Sequence, residues 1–263
     1  MKILIATVVG LLVFAGAYIA VKQLGQREAQ RRANEEMNEF RKSVTAKAER
    51  DLDRDGVIST ETSRAALSEL HVRLDRLAAQ GGSKDKEMKA TAELMGELQQ
   101  QTLPYLEFVK RIENDPPGDM SNVKTKADLA AKRELGKEVL RLNRELMAFL
   151  DSMEDRMWKK LQDAGVETGT REQFAAKTST SFRRAIELQR QIRKHQETTA
   201  NALLTLTDLL EAEWGKWKWK DDDIIFDNDA ALTRYNGLME ELRKADDEQT
   251  ALQREGLKNM QRK

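Results

Sequence analysis

The stretch "ALTRYNGLMEELRKADDEQTAL", residues 231–252, decides the fold class. Ala231, Tyr235, Leu238, Leu242, Ala245, Gln249 and Leu252 recur at alternating steps of four and three, one face of a helix, with polar and charged residues filling most of the gaps. A seam of this period is buried by packing against other helices, so it predicts a bundle. The helix should begin near Asp227 or Asn228.

The same period runs upstream. Ala29, Ala33, Met37, Phe40 and Val44 mark a first helix, and Leu67, Leu70, Leu74 and Leu77 a second. A third carries Met88, Met95, Leu98, Tyr105, Val109 and Ile112, with Pro104 expected to kink or restart it. The fourth carries Leu135, Val139, Leu142, Leu146, Phe149 and Met153, with Gly165 as its stop, and a fifth should end near Trp214. Start signals agree: Ser59 or Thr60 for the second helix, Thr125 with Asp128 for the fourth, Thr170 with Gln173 for the fifth. Breaks fall near 51–59, 81–83, 114–122, 165–170 and 215–227. The expected fold is therefore all-α, an antiparallel multi-helix bundle over residues 23–263 with a small β-hairpin near 216–226. Alternating directions put the 51–59 loop and the tryptophan-rich segment at one end, away from the N-terminus.

Composition agrees. In 263 residues, 45 basic and 45 acidic side chains leave no net charge, and charged residues make up 34% against 5% aromatic. That balance suits long amphipathic helices and lacks the basic excess that nucleic acid requires. With no cysteine, disulfides, thiolate nucleophiles and cysteine-bound zinc are excluded.

Residues 1–22 read as a transmembrane anchor, or alternatively as a signal peptide. Ile3 to Val21 is an uncharged, mostly apolar run, about 28 Å as a helix and so about one hydrocarbon core. Ala15-Gly16-Ala17 resembles a small-residue cleavage site, but the apolar run continues beyond it, which favours an uncleaved span. Lys22, Arg27, Arg31 and Arg32 follow the span, and a strict positive-inside count leaves the body in the cytoplasm. A short basic start with an apolar run is also an ordinary export signal, and the reading adopted is a bacterial inner-membrane anchor with a periplasmic body.

Two stretches carry candidate sites. "DLDRDGVISTET", residues 51–62, places Asp51, Asp53 and Asp55 where an EF-hand calcium loop has its first three oxygen ligands, Gly56 at the sharp turn and Val57 where a carbonyl is used. It resembles the EF-hand family over this dozen residues, which implies Ca2+ as a structural ion. Position twelve is Thr62 rather than the bidentate glutamate, so Glu61 would have to reach back, and affinity should fall toward the millimolar class. The alternative is a polar turn. "WGKWKWKDDDIIF", residues 214–226, alternates Trp217 and Trp219 with lysines, a strand period. With Trp214 these indoles form either a partner-binding tip, a membrane-interface belt or a cap over the end of the core.

A polar cluster interrupts the fifth helix: Gln189, His195, Gln196, Thr199 and Asn201. It either lines a small-molecule pocket or sets helix register and faces water. Catalytic patterns are absent: His71 and His195 belong to no HExxH, "GGSK" lacks phosphate-loop spacing, and there is no GxSxG.

"IIFDNDAALTRYNGL" sets Phe226 nine residues before Tyr235-Asn236, with Leu238 beyond. It is similar to the C-terminal region of a family of uncharacterised bacterial envelope proteins, commonly lipoproteins with helical bodies. The resemblance implies an envelope location and no known activity, and the lipoprotein cysteine is missing here. The functional expectation is a non-enzymatic, membrane-anchored envelope interaction or scaffold protein with a protein partner and no nucleic acid. The alternative is a helical-bundle ligand sensor signalling through a partner membrane protein.

Overall fold

The computed structural model describes the backbone of residues 27–56, 58–81, 86–113, 115, 117–167, 169–177, 180–221 and 223–261. The apolar run at 3–21 lies outside them, and among the described residues no helix is long and apolar enough to cross a membrane. The described residues form seven helices and one hairpin, in order: α1 (Arg27–Asp55), α2 (Thr60–Gly81), α3 (Lys86–Ile112), α4 (Lys126–Asp163), α5 (Arg171–Lys177), α6 (Thr180–Ala212), β1 (Trp217–Lys220), β2 (Asp223–Phe226) and α7 (Asp229–Gln261).

The long helices alternate in direction, each against the next, and α1 also lies on α7, so the circle of neighbours closes. The seams meet inside. Phe40, Leu70, Leu74, Leu94, Leu98, Phe149, Met153 and Phe182 form the largest apolar cluster, all at most 4% exposed. Helix ends follow the side-chain signals. Ser59 Oγ accepts from Thr62 N at 3.1 Å and caps α2. Thr125 and Asp128 form a full capping box on α4, and Asn228 Oδ1 accepts from Ala231 N at 2.7 Å to cap α7.

Four expectations need correction. α1 runs on through Asp55, so the break is shorter than 51–59. Pro104 sits within a continuous α3; it and Gln100, whose carbonyl loses its helical donor, are both exposed, so water can satisfy that oxygen. The fifth helix is two, a seven-residue α5 and then α6. α2 also continues through Gly81, and residues 82–85 lie outside the described set.

Lys86 Nζ donates to the Gly165 carbonyl at 3.1 Å, joining the α2–α3 and α4–α5 connections at one end as alternation requires. The opposite end is less flush. Thr250 Oγ1, about 30 Å along α7 from its start, donates to the Gly56 carbonyl at 3.1 Å. The aspartate turn thus shares the hairpin's polarity while meeting α7 well below the hairpin.

Candidate functional site

The interior seam of α6 runs Phe182, Ile186, Gln189, Arg193, Gln196, Ala200 and Leu203, again by fours and threes, and every one of these is buried. Its outer members are apolar and its three central members are polar. Neighbouring helices bring polar side chains to the same height. Asn143 of α4 donates through Nδ2 to the Arg193 carbonyl at 2.8 Å. Tyr105 of α3 lies with its ring centroid 4.6 Å from the guanidinium carbon of Arg193. On α7, the pairing of His195 with Glu248 at 3.3 Å and of Leu188 and Ile192 with Leu252 sets Gln249 and Gln253 level with Arg193 and Gln189. Both glutamines are buried. Apolar clusters lie on either side, one around Phe149, Leu150, Phe182 and Ile186, the other around Phe108, Val109, Val139 and Leu142.

Arg193 is 0% exposed. Its Nη1 donates to Gln196 Oε1 at 2.7 Å, while among the described residues Nε and Nη2 make no hydrogen bond of normal geometry, though the Tyr105 hydroxyl lies close enough to act on the guanidinium. Nor do the Tyr105 hydroxyl, Asn143 Oδ1, both amide atoms of Gln189 and of Gln253, or Gln249 Nε2. Burial pushes the Arg193 guanidinium down from its ordinary value, partly offset by the Tyr105 hydroxyl facing it. Burial likewise raises the Tyr105 phenol, against the pull of Arg193. Neither shift takes the pair out of its protonation state near neutrality, since arginine stays charged in proteins.

Magnitudes decide what this means. A buried ion costs several kcal/mol even after relaxation. The stacked tyrosine returns about 2 kcal/mol and the single bond to Gln196 about 1.5–3 kcal/mol. No carboxylate of the described residues pairs with this cation, and each unmade amide bond adds a further cost of about 1–3 kcal/mol. By contrast the other buried cation, Lys132, is paired with Asp115. An open groove of about 630 Å³ runs between α6 and α7 at the height of the layer, lined by Gln191, Lys194, His195, Thr198, Lys244 and Glu248 among others.

The residues singled out from sequence fall as follows. Of the helix-five cluster, Gln189, Gln196 and Thr199 are buried, His195 borders the groove and Asn201 is exposed. Arg193, Tyr105, Asn143 and Gln253 were not among the candidates, and Gln249 was counted only as part of the α7 seam. The signal for Arg193 was its place on the alternating seam, where a charge is least expected.

In the aspartate turn, Asp51, Asp53 and Asp55 all lie in the last turns of α1. Helical geometry turns Asp53 to the side opposite the other two. Asp51 Oδ2 accepts from Ser59 N at 3.0 Å, Asp55 pairs with Arg54 at 2.6 Å, and Glu61 pairs with Lys110 of α3 at 2.8 Å. Val57 lies outside the described residues. Among those described, no group of three metal-ligating side chains converges.

The hairpin forms as the strand period indicates, pairing Trp217 with Phe226 and Trp219 with Ile224. Asp221, at φ +52°, takes the left-handed turn position that short polar side chains tolerate. Trp214, Trp217 and Trp219 are half-buried and pack on Met120, Leu206, Leu210, Phe226 and Tyr235. Trp217 Nε1 donates to the Leu210 carbonyl at 2.9 Å. The indoles close the end of the bundle, and Lys216, Lys218, Lys220 and Ile225 face outward.

Compared with protein families, with curated proteins and with solved structures, the chain matches none.

Proposed function

We propose that this chain is a non-catalytic binding protein of the bacterial envelope, a helical bundle carried by its N-terminal apolar segment and taking a small polar ligand into the layer around Arg193. The observation that carries the reading is the set of buried polar atoms without partners on α3, α4, α6 and α7. Register alone does not account for it, because a register-setting polar layer is stable only when its members satisfy one another. The layer's ionisable groups, Arg193 and Tyr105, each keep one protonation state near neutrality, which favours binding over proton transfer. Such a protein would signal or deliver through a partner membrane protein.

The test is native mass spectrometry of the intact chain, purified in mild detergent from the cells that make it. A small-molecule mass increment is expected, and it should disappear in the double variant Gln189→Leu/Gln253→Leu. A chain that carries no increment under any extraction condition sinks the reading.

A second reading follows from the outer face of the hairpin, where Ile225 is 39% exposed beside Lys218, with Leu232 at 38% close by in sequence. That face suits an acidic protein partner. Chemical crosslinking through Lys218, compared with Ile225→Asp, tests it: a partner captured equally by both chains does not use this face.

A further inference from the structure

We propose that the ligand of the Arg193 layer is a small carboxylate, gripped by the Nε–Nη2 edge of the guanidinium. The proposal rests on the interior-ligand reading above and names its chemistry. A guanidinium presents its N–H bonds in a rigid planar fork. Here Nη1 is taken by Gln196, and the two nitrogens without partners among the described residues are Nε and Nη2. Their N–H bonds run parallel along one edge, the arrangement that meets both oxygens of a carboxylate at once. The Tyr105 ring covers a face of the guanidinium, and Arg193 is fully covered by its neighbours, so a ligand reaches the edge only when the helices part around it.

Charge and polarity narrow the class. One buried cation, unpaired with any described carboxylate, is balanced by one negative charge. A carboxylate brings one, whereas phosphate near neutrality brings more. A monatomic anion would leave the amides unmet. Among the described residues, Gln189 and Gln253 each have both a donor and an acceptor without a partner, Gln249 a donor, and Asn143 an acceptor. A ligand that also carries a hydroxyl or amino group satisfies both kinds. The structure thus favours a hydroxy or amino acid over a simple fatty acid.

The experiment melts the full chain in mild detergent and chloride-free buffer against acetate, lactate, lactamide and inorganic phosphate. Three chains are compared: wild type, Arg193→Met and Arg193→Lys. Lactate should raise the melting temperature in a saturable way, acetate less, and lactamide, its uncharged counterpart, not at all. Arg193→Lys, which keeps the charge and loses the fork, should weaken lactate about 10-fold or more. Arg193→Met should fold and lose the response.

Other outcomes overturn the proposal. An equal rise in Arg193→Met places the anion on the surface. A response to phosphate alone removes the carboxylate. A rise with lactamide as large as with lactate removes the charge requirement while an interior ligand stands. If all four compounds leave the melt unchanged, the carboxylate falls; the interior site falls with it only when native mass spectrometry also finds nothing bound. Should Arg193→Met not fold, the lactate affinity of Arg193→Lys decides, and an unchanged value overturns the proposal.

Discussion

Around Phe40, Leu70, Leu74, Leu94, Leu98 and Met153 the interior is built mainly from apolar side chains, and the buried Thr91 and Thr102 donate to carbonyls of their own helix. About two to three turns further along α3 and α4, where α6 and α7 join them, it holds an arginine, a tyrosine, an asparagine and four glutamines. Both regions use the same seam positions and the same burial. In the first, dispersion and water exclusion hold the helices together. In the second, burial works against the groups buried, and partners are missing. Packing geometry therefore does not distinguish the two regions; the density of unpartnered polar atoms does, since nine of the ten found among the described residues lie in the second region and one, His71 Nδ1, beside the first.

The sharpest test of this contrast pairs substitutions from each side. Leu94→Ala should cost about 2–5 kcal/mol in urea unfolding, because it leaves a cavity in a fully apolar cluster. Arg193→Met, just as buried, should leave stability unchanged or raise it by about 1–4 kcal/mol, since the methionine removes an uncompensated ion. A loss of several kcal/mol in Arg193→Met would mean that the layer is self-sufficient, and would break the comparison.

The aspartate turn gives a smaller effect. Burial raises the Asp51 carboxyl, but the hydrogen bonds from Thr62 and Ser59 outweigh this and hold it below the usual aspartate range. A depressed pKa stabilises the fold above the unfolded value, and that contribution disappears as pH falls through the folded one. Asp51→Ala should therefore cost about 1.5–3 kcal/mol at pH 7, and the gap from wild type should shrink below about pH 4. Asp53→Ala should stay within about 0.5 kcal/mol. A calcium-dependent rise in wild-type melting temperature, lost in both variants, would instead assign the three aspartates to an ion.

The smallest effect belongs to the hairpin. Trp217→Phe keeps a ring against Leu210 and loses the indole bond to its carbonyl, an expected cost of about 1 kcal/mol by circular dichroism melts. Lys218→Glu, on the outward face, should not move the melt beyond about 0.5 kcal/mol. A tip whose tryptophans can be removed without loss is not a cap.

The helices and most of their boundaries were legible because their signals are local. Thr125 with Asp128, Asn228 and Ser59 cap the backbone within three residues of themselves, and the seams repeat within a single helix. Pro104 does not restart the helix, because a proline's cost depends on whether the orphaned carbonyl meets water, which only the exposed position of Gln100 and Pro104 reveals. What the "DxDxDG" spacing brings together depends likewise on the backbone that carries it. It implies convergence only in an irregular loop, and α1 stays helical through Asp55, turning alternate side chains apart.

The candidate site divides the same way. Gln189, Gln196 and Thr199 were visible as polar residues within one helix. Arg193 became significant only when α3, α4 and α7 came to lie beside it, bringing a tyrosine ring, an asparagine and glutamines but, among the described residues, no acid that pairs with it. The amino-acid order by itself determined the helices, their caps and the faces they bury, because each depends on residues a few positions apart. Which buried groups would find partners, and which would be left without, was decided by the tertiary structure alone, because hydrogen bonds and charge compensation act across helices distant in sequence.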